Sequence, residues 1–382
     1  MTISFSPPDT APGQRPVVAT GCGKLILLGE HAVVYGEPAL AVPLPTLRLS
    51  VVLSTAAKKW SEVTSTVESE VPELGRSEDF PLDDFKDTAV FPVYPEDPVS
   101  SDGAGEESEV ELPPLREDRT LDLAGPPPLS VDVGEDAPPG AETDVARALG
   151  AAARALGLPV PLPLRVAVRS GGLRSGMGTS AAMGVALSRA LLLFYGQQPT
   201  LAAVLRGAEA VERLFHGNPS GVDHTVSAGE RPVWFVKGRP PRQLGRLSSL
   251  DVVILPRLSS KPTAEVVDGV RQRLAEDPAL ARVIAEIGRW TREGRVGWSS
   301  GRLDVLAAAM TAQQQELDRL GVVLDSDRLA VKQAVDAGAM AAKITGAGCG
   351  GSLFALVDAD SAESVREAWG PEAIRARLGD EG

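Results

Sequence analysis

A glycine-rich stretch, RSGMGTSAAMG at residues 174–184, is the feature of this 382-residue sequence whose residue types point most directly to chemistry. Gly176 and Gly178 allow main-chain amides to come close to a ligand, because glycine has no Cβ. An Ala-rich helix is predicted from Thr179 onward, and its first turn presents unpaired N–H groups with a partial positive charge. The stretch therefore predicts an anion cradle, in which Thr179 and Ser180 either cap the helix or supply a hydroxyl to a metal ion on bound phosphates.

Two well-known phosphate-binding patterns do not describe this stretch. No lysine follows the last glycine, as the G-x-x-x-x-G-K-[ST] pattern requires, and the glycine spacing is not that of G-x-G-x-x-G. On its own, the stretch is equally compatible with an ordinary glycine turn before a capped helix.

Two carboxylates downstream favour a site over a simple turn. A helix is predicted over residues 201–217, and its apolar stripe at helical spacing consists of Leu201, Val204, Leu205, Ala208, Val211 and Phe215. Glu212 lies on the same stripe, where an inward carboxylate is costly unless it is paired or binds a cation. It is a candidate metal ligand, and the alternatives are a buried salt bridge or a residue at the edge of the stripe whose carboxylate reaches solvent. Asp223 follows an Asn-Pro-Ser-Gly turn shortly afterwards, so a base next to a metal site is plausible.

The three histidines of the chain are His31, His216 and His224, and all lie in two short segments, GEHAVVYG and FHGNPSGVDHT. Their concentration beside the candidate carboxylates is a weak indication of a site, since a single such histidine is more often structural.

Charge and composition exclude several classes of protein. The net charge is −13, but residues 62–144 contain 24 Asp and Glu against 4 Lys and Arg, so the rest of the chain is mildly basic. This Pro-rich acidic segment is expected to be a solvated insertion, with a lid over the site as the alternative. We find no basic cluster interleaved with aromatic residues and no membrane span or signal peptide, so we expect a cytoplasmic protein that binds neither nucleic acid nor membrane. Two cysteines suggest neither a disulfide framework nor a zinc site.

The elements around these residues mix strands and helices without strict alternation. Strands are predicted in LILL, LRVAVRS and LDVVILP, and AKITGAGCGGSLFALVD reads as two short strands joined by a glycine loop. We therefore predict an α+β architecture in two domains rather than a doubly wound sheet.

Four motifs in register resemble those of the GHMP family of small-molecule kinases. They are GCGKLILLGEHAVVYG, SGMGTSAA, HGNPSGVDH and KITGAGCGG, and the third is similar to the mevalonate kinase branch of the family. The resemblance implies an N-terminal domain similar to ribosomal protein S5 domain 2 over residues 1–245, and a ferredoxin-like C-terminal domain over residues 246–382. It also implies phosphorylation of mevalonate at its C5 hydroxyl, with ATP and Mg²⁺ as cofactors and a homodimer as a possible assembly.

The same resemblance implies roles for individual residues. Lys24 and Asp223 are the expected catalytic pair, in which Lys24 neutralises charge and Asp223 orients or deprotonates the hydroxyl. Ser180 and Glu212 are expected to position Mg²⁺. The residues expected to bind ATP are Ser175, Gly176, Met177, Gly178, Thr179 and Ser180. The residues expected to contact the substrate are Glu30, His31, Thr263, Gly346 and Ala347.

Several positions depart from the family pattern. Gly21 and Cys22 replace Ala and Pro before the lysine, Gly172 replaces a proline, and Cys349 takes a glycine position. Arg174 stands where a glycine usually opens the phosphate loop, so it either adds a phosphate contact or crowds the loop. The alternatives left open are a related kinase for phosphomevalonate or a sugar, and a non-catalytic relative that binds nucleotide or metabolite.

Overall fold

The computed structural model describes residues 16–55, 129–133, 140–160, 164–174, 176–217, 219–245, 250–257, 261 and 263–378. Most of the acidic segment, residues 62–128, lies outside the described residues, as does Ser175 of the expected ATP loop. The last part of the acidic segment contains a strand that joins the first sheet.

The first sheet is built mainly from two long neighbouring strands. Its described strands are β1 (Val17–Leu28), β2 (Ala39–Thr55), β3 (Leu129–Asp132), β4 (Leu164–Arg169), β5 (Val233–Phe235) and β6 (Arg242–Gln243). The order is β3-β4-β2-β5-β6, and β1 also pairs with β2. The pairing is antiparallel except between β3 and β4. The register of β1 on β2 shifts between Cys22 and Gly23, directly before Lys24.

Four described helices accompany this sheet: α1 (Ala141–Leu156), α2 (Thr179–Phe194), α3 (Leu201–His216) and α4 (Val222–Gly229). Helix α2 packs against β1 and β2 and is buried along most of its length, which agrees with its nearly continuous apolar sequence. Helix α3 covers α2 with one apolar face, and α4 packs on both of them.

The second sheet has the order β10-β7-β9-β8, and its pairs are antiparallel. Its described strands are β7 (Asp251–Leu255), β8 (Ala341–Ile344), β9 (Leu353–Val357) and β10 (Ile374–Arg377). The described helices of this part are α5 (Thr263–Glu276), α6 (Leu280–Ser300), α7 (Leu303–Arg319), α8 (Asp325–Asp336) and α9 (Ala362–Trp369). Because β6 ends in the first sheet and β7 begins in the second, we propose a domain boundary between residues 245 and 246.

Buried polar contacts join the two parts next to the motifs. The amide of Gly29 donates to Gln313 Oε1 on α7 at 3.0 Å. The Thr345 hydroxyl, just after β8, lies 3.3 Å from both the amide nitrogen and the carbonyl oxygen of Ile26 on β1. These contacts place the turn after β1 next to the glycine loop after β8.

The antiparallel pairing confirms the α+β architecture predicted from the sequence. Among the residues that the structure describes, no helix has both the length and the apolar character needed to cross a bilayer.

Candidate active site

The two predicted catalytic side chains, Lys24 and Asp223, form an ion pair. Lys24 lies on β1 just after the register shift, and its side chain is almost completely buried. Asp223 lies in the first turn of α4, where a carboxylate complements the positive end of the helix dipole. The Lys24 Nζ atom lies 3.1 Å from Asp223 Oδ1, and the Asp223 side chain is 26% exposed. The pair therefore leaves part of a carboxylate accessible while its ammonium remains buried.

The glycine loop passes directly over Lys24. The amide of Lys24 donates to the carbonyl of Met177 at 2.8 Å. Gly178 has a φ of 75°, and a Cβ added there would lie 2.8 Å from the Cγ atom of Lys24. Gly176 has a φ of 87°, and its added Cβ would lie 3.1 Å from Ser352. The loop thus approaches two side chains so closely that only glycine fits without displacement.

Helix α2 begins at Thr179 with Gly178 as its N-cap, and no side chain caps it. The Thr179 hydroxyl donates instead to the carbonyl of Arg174 at 2.9 Å, which closes the loop on itself. The capping alternative for Thr179 and Ser180 is therefore wrong. Among the described residues, no side chain accepts from the first N–H groups of α2, as an anion cradle requires. Arg174 is exposed and donates to the carbonyl of Leu173 at 3.3 Å.

Glu212 is buried, as its position on the apolar stripe predicts. Its Oε1 atom has no hydrogen-bond partner and lies 3.9 Å from His216 Nε2. Burial raises the pKa of Glu212 to about 7, and the nearby Asp223 carboxylate adds to the rise, whereas Ser180 and Lys24 oppose it. A buried carboxylate oxygen without a partner is a group that a cation would satisfy.

His216 is a site residue that the sequence argument did not assign. Its Nε2 atom lies 3.0 Å from the hydroxyl of Ser180, the other expected metal ligand. Burial lowers the pKa of His216, so the ring is neutral near pH 7. Its position four residues after Glu212 on the same helix face was a usable signal for its proximity to that carboxylate. The contact with Ser180 depends on the packing of α3 against α2, which spacing alone does not give.

Glu30 is fully enclosed and forms a buried ion pair with Lys343 on β8. Lys343 also donates to the carbonyl of Ile344 at 2.8 Å, and it too was missed by the sequence argument. Burial raises the pKa of Glu30 against the opposing effect of the Lys343 ammonium. The second carboxylate oxygen, Oε2, is buried without a hydrogen-bond partner. Glu30 therefore has one enclosed oxygen whose hydrogen-bonding capacity no described protein donor satisfies.

His31 adopts a φ of 58°, which is uncommon for a residue with a side chain. Its Nε2 atom lies 3.0 Å from the carbonyl oxygen of Ala347 in the glycine loop after β8. Burial lowers the pKa of His31 to about 4, so the ring is neutral near pH 7. Because a carbonyl only accepts, Nε2 carries the hydrogen and Nδ1 is left as an acceptor.

The glycine loop after β8 also approaches the loop before α2. A Cβ added to Gly346 would lie 4.0 Å from the carbonyl oxygen of Gly176. The structure thus brings together the predicted residues of four motifs. Thr263 is the exposed first residue of α5, and among the described contacts none joins its side chain to the other predicted substrate residues.

The two cysteines lie in different surroundings. Cys22 is completely buried on β1, and burial raises the pKa of its thiol to about 12. Cys349 is half-buried, and burial also raises its pKa. Both thiols are protonated near pH 7, and a protonated thiol is a poor nucleophile.

Comparison with known proteins agrees with this geometry. The sequence pattern described as the GHMP kinases N terminal domain matches residues 144–229, and that of the GHMP kinases C terminal matches residues 297–376. A mevalonate kinase of Methanothermobacter thermautotrophicus is 31% identical over 213 residues, which cover 54% of this chain and 69% of the relative. The chain belongs to the GHMP kinase family.

Other relatives match over nearly the whole chain, and they are mevalonate kinases as well. The mevalonate kinase of Thermococcus sibiricus is 29% identical, with 91% of both chains covered, and that of Pyrococcus furiosus is 29% identical, with 94% and 95% covered. Among solved structures, Leishmania major mevalonate kinase in complex with R-mevalonate is similar with a TM-score of 0.70 at 20% identity, with 96% of each chain covered. This last likeness concerns the fold.

Proposed function

We propose that the protein transfers the γ-phosphoryl group of ATP to the C5 hydroxyl of mevalonate, giving 5-phosphomevalonate. The observation that carries the proposal is the Lys24–Asp223 ion pair, whose lysine lies against Gly178 of the glycine loop. Phosphoryl transfer to an alcohol requires charge neutralisation, alignment and a carboxylate near the hydroxyl. The names of the relatives that match over nearly the whole chain support mevalonate as the acceptor.

The residues present fit a nucleotide with a divalent cation. Gly176, Met177, Gly178 and the first turn of α2 would hold the phosphates of ATP, because this segment combines close backbone approach with available N–H groups. Ser180 and Glu212 would hold Mg²⁺, and the unpartnered Glu212 oxygen supports that assignment. The cation would supply charge neutralisation at the phosphates. In the part of the chain that the structure describes, no group of three or more His, Cys, Asp or Glu side chains could hold an ion, so phosphate oxygens would supply further ligands.

The roles of the protein's own groups follow from their positions. Lys24 fixes the Asp223 carboxylate through Oδ1, and the accessible part of that carboxylate accepts the proton of the acceptor hydroxyl. The Lys24 ammonium also neutralises negative charge beside the reacting oxygen. On the substrate side, Glu30 Oε2 accepts from a substrate donor, while His31 holds the Ala347 loop in place.

Two related substrates remain competitors for the acceptor role. Streptococcus pneumoniae phosphomevalonate kinase in complex with phosphomevalonate and AMPPNP shares the fold with a TM-score of 0.62 at 14% identity. Lactococcus lactis galactokinase complexed with galactose shares it with a TM-score of 0.63 at 13% identity. A phosphorylated acceptor requires extra cationic groups. Arg174, which stands where the family usually has a glycine, is exposed and donates to the carbonyl of Leu173. A cytoplasmic location and a homodimer stay predictions.

A panel of acceptors tests the proposal. The purified protein is given Mg²⁺ and ATP with mevalonate, phosphomevalonate, galactose or homoserine, and ADP release is measured. We expect turnover with mevalonate, and ³¹P NMR should show a new phosphomonoester on its C5 oxygen. Turnover confined to another acceptor would overturn the substrate assignment, whereas ATP binding without turnover on any acceptor would favour a non-catalytic relative.

A further inference from the structure

A reciprocal pair of hydrogen bonds ties α4 to β1 beside the Lys24–Asp223 pair. The hydroxyl of Ser227 donates to the carbonyl oxygen of Cys22 at 2.7 Å. In the opposite direction, the thiol of Cys22 donates to the carbonyl oxygen of Ser227 at 3.6 Å. Both residues have no exposed surface, so neither bond is exchanged for one with water.

The position of this contact relates it to the reacting groups. Cys22 lies two residues before Lys24 on the same strand, at the point where the register of β1 on β2 shifts. Ser227 lies four residues after Asp223 on α4, which places the two side chains on one face of the helix, about one turn apart. The contact therefore fixes the position of α4 relative to β1 close to the ion pair.

A separate cluster holds the end of α4. Arg189 on α2 donates to the carbonyl of Ala228 at 3.0 Å and to Glu230 Oε1 at 2.9 Å. Arg48 on β2 donates bidentate hydrogen bonds to the same Glu230 carboxylate. Loss of the Ser227 hydroxyl leaves these bonds in place, so α4 remains attached to the domain.

We propose that Ser227, acting through Cys22, is a positioning residue that sets the separation of Lys24 Nζ and Asp223 Oδ1 and thereby the rate of phosphoryl transfer. The proposal rests on the proposed function, since it assumes that this ion pair serves the chemical step. Small displacements matter here, because a shift of about 1 Å at reacting groups lowers rates by about 100-fold.

The test compares Ser227→Ala with Ser188→Ala. Ser188 is a matched control because it is also fully buried, on neighbouring α2, and its hydroxyl donates to the Gly184 carbonyl within its own helix at 2.6 Å. We expect Ser227→Ala to lower kcat by roughly 10- to 100-fold while KM for ATP changes less than about threefold. Ser188→Ala should leave kcat within about threefold of the parent at a similar loss in Tm. Equal effects of the two variants on kcat would overturn the proposal.

Variants at Cys22 and Lys24 separate positioning from general support of the fold. Cys22→Ser retains a donor at that position, so kcat should stay within about threefold; Cys22→Ala removes the weak thiol donor and should cost less than Ser227→Ala. In a Lys24→Ala background the pair is already broken, so adding Ser227→Ala should lower kcat by less than about twofold. An undiminished loss in that background would overturn the proposal.

A structural readout keeps this inference separate from the proposed function. Crystal structures of the parent and Ser227→Ala, without substrate, should show the Lys24–Asp223 ion pair lost in the variant; an unchanged pair would overturn the positioning role even if the parent is an active kinase. Absence of mevalonate turnover by the parent would instead overturn the proposed function and leave this structural comparison as the test of the contact.

Discussion

The ammonium of Lys24 and the carboxylate of Asp223 lie 3.1 Å apart, although they belong to a strand and a helix from distant parts of the chain. The lysine is enclosed by the glycine loop, while about a quarter of the Asp223 side chain remains exposed. A buried ammonium without its partner is strongly unfavourable, so each group depends on the other. The pair is thus both a structural contact and the feature best suited to act on an alcohol.

Asp223→Asn should lower kcat far more than it raises KM for ATP, because the amide keeps the shape of the side chain but cannot accept the hydroxyl proton. Removal of a general base typically costs about 100- to 10,000-fold in rate. Steady-state kinetics with mevalonate and ATP varied separately measure both constants. A comparable loss in kcat and in ATP affinity would count against the assigned role.

Gly178→Ala should disrupt the loop by two effects. Alanine is strained at the positive φ of this position, and its Cβ would clash with the aliphatic part of the Lys24 side chain. Gly196→Ala is the matched control, since Gly196 has a φ of 66° and nothing lies within 4 Å of its added Cβ. Both variants should lose about 1 kcal/mol of stability from the backbone strain. Only Gly178→Ala should also lose most kinase activity. Equal activity of the two variants would show that the contact with Lys24 is unimportant.

Glu212→Gln should stabilise the ligand-free protein at pH 8, where the buried carboxylate is ionised without a partner for Oε1. The native pKa is raised above the unfolded value, so the destabilisation builds as pH rises from about 4.3 to about 7 and is absent below about 4.3. Urea unfolding should show a gain of roughly 1–3 kcal/mol at pH 8 that disappears by pH 4. Titration with Mn²⁺ and ATP should show weaker cation binding. An equal stability change at both pH values would contradict this account.

His31 should make the protein less stable as the pH falls. The native pKa of about 4 lies below the unfolded value of about 6.5, so between these values the unfolded chain binds a proton that the native protein does not. The comparison is with His31→Asn, because asparagine tolerates a positive φ. The excess unfolding free energy of the parent over the variant should shrink by about 2–3 kcal/mol between pH 7 and pH 4. A difference in unfolding free energy that does not change with pH would mean that His31 is not the titrating group.

Local patterns were sufficient to predict the elements that carry the site. The glycines before Thr179 mark the start of α2, and the periodicity of α3 buries Glu212, because both signals act within a few residues of the chain. The two short strands β8 and β9 and the glycine loop between them were predicted for the same reason.

The partners of these residues were not predictable in the same way. Lys343 lies in a short buried strand, and its partner Glu30 follows β1 in a distant part of the chain, so no local pattern joins them. The contacts of His216 with Ser180 and of Ser227 with Cys22 likewise join elements that are distant in sequence. The register shift in β1 that precedes Lys24 leaves no recognisable mark in the residue types.

Mevalonate-dependent ADP release by the parent protein and by Asp223→Ala, in the presence of Mg²⁺ and ATP, shows whether the Lys24–Asp223 pair is the reacting centre. We expect turnover by the parent and its loss in the variant, with ATP still bound by both. Turnover that survives the loss of the Asp223 carboxylate would contradict the assignment of the Lys24–Asp223 pair as the reacting centre.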